Sequence, residues 1–188
     1  MLIAHLPAGY ILGTAARRRA SSPAIIAAAL IGSVAPDFDM AYFYASGGKI
    51  HHHAYVTHWP LFWLVSAILI LPLLKWLRPA WLAAGCVFFA AAMLHMVMDT
   101  VAAPLYWLAP FSFHEFELVR VTATHANWII SFLLHWTFLL EISICLSALA
   151  LFLMRRRIRL PCRRHLPTGP IPEHGAQVSG YRKGRKAP

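Results

Sequence analysis

Apolar and polar positions fall along this chain in long blocks, not in residue-by-residue alternation. Residues 2–16 form a short apolar run that ends at Arg17-Arg18-Arg19. A second short run, 24–34, is rich in Ala and Ile and breaks at Ala35-Pro36. Three longer runs follow: one from Trp59-Pro60 to Lys75 and Arg78, one over 80–98, and one over 128–154 that meets Arg155-Arg156-Arg157. A polar-aromatic stretch (40–58), a tight turn at Pro79 and an aromatic, proline-rich loop (100–127) separate them. Uninterrupted apolar runs of this length predict helices that span a membrane.

Local signals refine the picture. Pro7 is tolerable in the first turn of a helix. Ser21-Ser22-Pro23 reads as a helix start, a serine cap with proline at the first helical position. Pro36 biases the residue before it away from the α region, so Asp37 and Asp39 are expected on extended backbone, pointing the same way. Gly47-Gly48 marks a turn within a loop over 40–58, and Pro72 is a place for a kink. The three arginines at 155–157 are expected to stop the last run. The first two segments are short: about 14 residues at about 1.5 Å each cover roughly 21 Å, against roughly 30 Å of hydrocarbon. They are expected to be half-embedded or packed inside the bundle.

Composition agrees with a membrane solvent. Of 188 residues, 59% are hydrophobic and only 13% charged, with a mean hydropathy of +0.58; a soluble domain carries about a quarter charged residues. The reading is an all-α, polytopic helical bundle with three clear spans and two shorter N-terminal apolar helices. Residues 1–154 form the embedded domain, and 155–188 a basic, disordered tail. Three cysteines without a CxxC spacing give no disulfide framework.

The net charge of +10 would suit a nucleic-acid partner, but its distribution points to topology. If the five segments alternate in direction, fifteen of the seventeen Lys and Arg residues fall on one side, leaving Lys49 and Arg120 on the other. The positive-inside rule makes that side, and the C-terminus, cytoplasmic. No nucleic-acid motif accompanies the charge, no protein partner is indicated, and the basic tail is most simply an anchor touching anionic lipid.

This topology, set by Lys and Arg alone, gathers His5, Asp37, Asp39, His51–His53, His58, His95 and Asp99 on the non-cytoplasmic side. Asp37, Asp39 and Asp99 are all the aspartates in the chain. His95 and Asp99 are four apart and share a helix face. If the 59–78 and 80–98 runs pair as a hairpin, His53 and His58 land beside them. Mixed His/Asp sets suit a divalent metal, zinc first and manganese or iron next, as one ion or as two bridged by a carboxylate. Asp37, Asp39 and Asp99 are also the candidate catalytic carboxylates. Singly, each residue has a plain explanation: loop histidines are usually solvated, and Asp after Pro is often a turn or cap. Ionisable groups at membrane depth default to function, and the joint pattern favours a metal site. His51 and His52 are weaker candidates, His114 and His125 read as solvated loop residues, and Trp59, Tyr106, Trp107 and Trp128 as interfacial anchors. Glu141, in the middle of the last run with His135 above it, is either part of a proton path or an acid bonded to a neighbouring helix, with the second favoured.

At these residues the chain resembles the YdjM-like family of LexA-binding, inner-membrane-associated, metal-dependent hydrolases. His5 before an apolar helix matches the family's first element, and Pro36-Asp37-Phe38-Asp39 its Pro-Asp-hydrophobic-Asp element. His53 with Thr57-His58 matches a His-x4-His element, and His95 with Asp99, Pro104, Trp107 and Pro110 a His-x3-Asp element followed by a Pro/Trp-rich loop. The resemblance covers roughly residues 1–112. Met40, Ala54-Tyr55 and Trp59 depart from the family's usual His, Arg-Gly and Ser. The resemblance implies a metal-dependent hydrolase of the bacterial inner membrane.

Two functions follow. In the first, a metal-activated water attacks an ester or phosphoester of an amphiphilic or lipid-linked envelope substrate. In the second, a non-catalytic membrane protein holds a structural ion or transports one. A haem held by His95 and His135 is a third option that leaves the aspartates unexplained.

Overall fold

The computed structural model describes residues 3–20, 22, 24–45, 47, 54–122 and 124–159. His51, His52, His53 and the tail from 160 lie outside the described residues. Among the described residues there are seven α-helices and no β-strand, only an isolated bridge between Leu105 and Phe116. The helices are α1 (His5–Ala16), α2 (Ala24–Gly32), α3 (Asp39–Ala45), α4 (Pro60–Leu77), α5 (Leu82–Thr100), α6 (Trp128–Leu133) and α7 (Phe138–Arg159). Three stretches, Pro60–Leu77, Pro79–Thr100 and Phe138–Arg157, are long and apolar enough to cross a membrane. The pair Ala24–Gly32 and Ala35–Ala45, bent by 55°, has the composition of a fourth, broken span.

α5 is the central helix. α2, α4 and α1 pack on it, and α7 packs on α1. Trp63, Phe89, Ala92, Met96 and Leu105 form the main core; Ala4, Ala8 and Met98 form a smaller one. Ile68, Leu69 and Trp76 of α4 and Leu146, Leu149 and Phe152 of α7 are instead exposed, as lipid-facing surfaces must be. Small residues let helices approach closely in this setting. Gly32 is the tightest case: a Cβ there would collide with the backbone carbonyl of Phe88 on α5. That approach brings the end of α2 against the middle of α5.

The packing also fixes which ends lie together. Ser33, just past α2, reaches His95 near the C-terminal end of α5. His5 at the start of α1 reaches Asp99. Ile3 meets Glu141 at the start of α7, and Tyr10 meets Phe152 further along, so α1 and α7 run parallel. Arg17–Arg19, Lys75, Arg78 and Arg155–Arg157 therefore share the end of the bundle away from the histidines.

Several local expectations are corrected. Asp37 and Asp39 are not on extended backbone: Ala35–Phe38 is a 3-10 turn, and Asp39 opens α3. Pro36 lies in the first turn of that 3-10 helix, where a missing N–H costs nothing, so it starts a helix after ending one. The stretch 40–58 accordingly holds the rest of α3 and a 3-10 turn, Val56–His58, while Gly47, at φ +77°, keeps its turn. The last apolar run is not one helix. It breaks at 134–137, where the Thr137 N–H donates to His135 Nδ1 and competes with the helical pattern. Glu141 thus sits in the first turn of α7, not mid-span. The arginines at 155–157 end the apolar run but not the helix, which continues to Arg159; Arg is a good helix former. α4 runs unbroken through Pro72. Ser22 does serve α2: its hydroxyl accepts from the Ala24 N–H at 3.3 Å.

Candidate metal centre

Four separate elements deliver the site. Asp37 comes from the 3-10 turn, His58 from the turn before α4, His95 and Asp99 from the last turns of α5, and His5 from the first turn of α1. His5, His58, His95 and Asp99 are buried, while the Asp37 side chain is 35% exposed.

The rings of His58 and His95 are oriented from behind. His95 Nδ1 donates to the Ser33 carbonyl at 2.8 Å. A carbonyl can only accept, so the proton is on Nδ1 and a neutral ring carries its lone pair on Nε2. His58 Nδ1 donates to Asp39 Oδ2 at 2.5 Å, and Thr57 Oγ1 donates to the same oxygen at 2.6 Å. A carboxylate or carbonyl behind an imidazole is the usual support of a metal-ligating histidine.

The opposite nitrogens converge. His58 Nε2 lies 3.5 Å from Asp37 Oδ1 and 3.7 Å from Asp99 Oδ2. His95 Nε2 lies 3.6 Å from Asp37 Oδ1 and 3.0 Å from Asp99 Oδ2. It is buried with no hydrogen bond of acceptable geometry among the described residues. Ligands about 2.0–2.1 Å from a tetrahedral zinc stand roughly 3.3 Å apart, and these four separations bracket that value. Two triads meet the spacing for an ion: Asp37, His58 and His95, and His5, His95 and Asp99. His5 Nε2 is 3.1 Å from Asp99 Oδ1, and its ring stacks on His95 at 3.7 Å. Asp99 thus turns one oxygen to His5 and the other to His58 and His95. The two triads share His95, whose one free lone pair can bind one ion, so the donor set fits one divalent ion and leaves His5 and Asp99 as the donors for a second.

Burial pushes the His58 imidazole down, but hydrogen bonds to Asp37 and Asp39 and the fields of Asp39 and Asp99 push it up to about 9. The sign follows. Without an ion, the charged His58 contributes stability that is fully present below about 6.5 and is lost as pH rises through about 9. An ion at Nε2 must displace that proton. Metal affinity is therefore expected to rise about tenfold per pH unit between pH 6 and 8, with one proton released at His58. Chelator competition across that range checks it; an affinity independent of pH would show that His58 Nε2 is not a ligand.

Of the residues singled out from sequence, His5, Asp37, His58, His95 and Asp99 come together. Asp39 is adjacent, on the Nδ1 side of His58. His53 lies outside the described residues. His114 and His125 are exposed in the loop, and His135 bonds to Thr137. Glu141 is fully buried and accepts the Ile3 N–H at 2.6 Å, fixing the segment that leads into His5. Two contributors went unnoticed in the sequence. Ser33 acts through its carbonyl, which no side-chain motif records. Thr100 accepts from Trp107 Nε1 at 2.9 Å, and the N–H groups of Leu118 and Val119 donate to the carbonyls of Thr100 and Val101. These bonds hold the 100–127 loop against the end of α5, next to Asp99.

No curated protein and no solved structure matches the chain. The family model described as YdjM inner membrane protein matches residues 1–159, which takes in every residue of the site and extends well past the 1–112 covered by the motifs. With three membrane-length helices and that match, the chain belongs to the YdjM inner membrane protein family.

Proposed function

We propose that this protein is a membrane-embedded, metal-dependent hydrolase acting on an ester or phosphoester of an amphiphilic lipid or envelope substrate. The observation that carries the reading is the convergence of His58 Nε2, His95 Nε2, Asp37 Oδ1 and Asp99 Oδ2 at 3.0–3.7 Å, with both rings oriented from behind. His58, His95, Asp37 and Asp99 would hold the ion, zinc before manganese or iron, and His5 would join a second ion through Asp99. When bound, the ion supplies Lewis acidity and a water activated near neutral pH.

The remaining roles fall to the chain's own groups. Asp39 and Ser33 hold the imidazoles in the ligating tautomer. With Oδ1 turned to the ion, the other oxygen of Asp37 would accept a proton from an attacking water, since Asp37 alone of the set is substantially exposed. An open cleft of about 340 Å³ lies on the Asp39 side of the cluster, lined by Phe38, Asp39, Tyr42, Tyr55, Val56 and Thr57, and its aromatic surfaces suit an amphiphile at an interface. The distribution of Lys and Arg supports a site on the non-cytoplasmic face.

The test is hydrolysis of an envelope lipid extract by intact spheroplasts and by inverted vesicles, comparing the parent with Asp37→Asn. The expected result is product from parent spheroplasts, abolished by an impermeant chelator outside, and a loss of about 100-fold or more in the variant. Equal product from parent and variant would end the catalytic reading.

A second reading keeps a specific observation in its favour. Four of the five converging residues are nearly or wholly buried, as in a closed structural site. That reading, a structural or transported ion in a non-catalytic protein, requires metal without turnover in the same experiment.

A further inference from the structure

At the basic end of the bundle, α2 and α4 both pack on α5 and leave a groove between them. Ala27, Ala28 and Ile31 of α2 form one wall, Leu74 of α4 the other, and Gly85 and Phe88 of α5 the floor. Its volume is about 680 Å³. From Ala24 to Ile31 it runs about 10 Å along the helix axis, a large part of one leaflet's roughly 15 Å of hydrocarbon.

Arg78 and Trp81 stand at the end of this apolar groove. Trp81 is 57% exposed, as an indole at head-group depth is. Among the described residues Arg78 has no ion pair. The described acidic residues are Asp37, Asp39, Asp99, Glu115, Glu117 and Glu141, and all of them belong to the opposite end or its loop. The described residues therefore leave the exposed Arg78 guanidinium open to an anionic group from outside them. A second copy is disfavoured by the same charges. Two copies oriented alike in one membrane would bring Arg17–Arg19, Lys75 and Arg78 of each toward the other's basic end, and would bury Arg78 against like charge.

We propose that this groove seats an acyl chain of an anionic phospholipid, with its phosphate on Arg78. The apolar walls take the chain, the guanidinium takes the phosphate in a charge-assisted contact, and Trp81 sets the depth. The site is separate from the histidine cluster, at the other end of α5, and stands whether or not that cluster is catalytic.

The test is native mass spectrometry of the full chain from detergent, with phosphatidylglycerol or phosphatidylcholine of matched acyl chains. The parent is expected to retain one phosphatidylglycerol, with a preference of about fivefold or more over phosphatidylcholine. Arg78→Gln should remove the preference. Ala27→Phe, which fills the groove from an exposed position on α2, should remove retention of both lipids. Equal retention of the two lipids by the parent, an undiminished preference in Arg78→Gln, or a dimer that Ala27→Phe converts to monomer would each overturn the proposal. If Ala27→Phe does not fold, the Arg78→Gln comparison decides alone.

Discussion

Replacing Asp99 by alanine is expected to lower metal affinity by at least 100-fold and to abolish hydrolysis. Asp99 is the hub of the cluster: its two oxygens stand 3.1 Å from His5, 3.0 Å from His95 and 3.7 Å from His58. Even outer-shell partners of metal ligands cost 10–100-fold in affinity when removed, so a residue that touches three histidines at once must cost at least the upper figure. Asp39→Asn is the comparison. Asp39 supports His58 from its far side, and its loss should cost about 10–100-fold and leave binding measurable. Metal content and thermal melts of both variants decide between roles. If Asp99→Ala holds as much metal as the parent, the cluster is not a metal centre. If Asp39→Asn loses as much as Asp99→Ala, Asp39 is itself a ligand.

Gly32→Val should be the most damaging change outside the site. The added carbons would meet the backbone of Phe88, which cannot rotate away as a side chain can. Overpacking in a close-packed interior costs about 1–3 kcal/mol when side chains absorb it; here α2 itself must shift, so the upper end is expected. The shift carries Ser33 with it and removes the carbonyl that holds His95 Nδ1 at 2.8 Å. The variant is expected both to melt earlier and to bind metal 10–100-fold more weakly. A variant that melts like the parent would mean that α2 and α5 do not approach as closely as described.

What was legible in the sequence was what depends on period and charge. The runs over 59–78 and 80–98 became α4 and α5 because they are long, apolar and bounded by Pro and Arg. Their pairing brought His58 to His95 and Asp99, as the hairpin argument required. His95 and Asp99 share a face because the helix fixes that spacing. Less legible was anything decided by neighbours. Pro36 signalled the end of one helix but not that it also begins the next, a 3-10 turn that carries Asp37. The stretch 128–154 carries no Gly or Pro, so nothing in its pattern announced the break at 134–137. It lies where His135 and Thr137 bond to each other and to the backbone. The role of Ser33 was invisible because a backbone carbonyl has no sequence signature, and that of Gly32 because a close approach shows only once both helices are placed. His5 was gathered with the other candidates by the Lys and Arg topology, and the family's first element matches it.

α1 has 12 residues, a rise of about 18 Å, which is too short to cross roughly 30 Å of hydrocarbon unaided. Its first neighbour, α2, follows at once, but the other two, α5 and α7, come some seventy and more than one hundred and twenty residues later in the chain. During synthesis α1 therefore leaves the ribosome with α2 alone to pack on. Its full packing is expected only once the α4–α5 hairpin has inserted. Until then Asp99 faces His95 and His58 without His5.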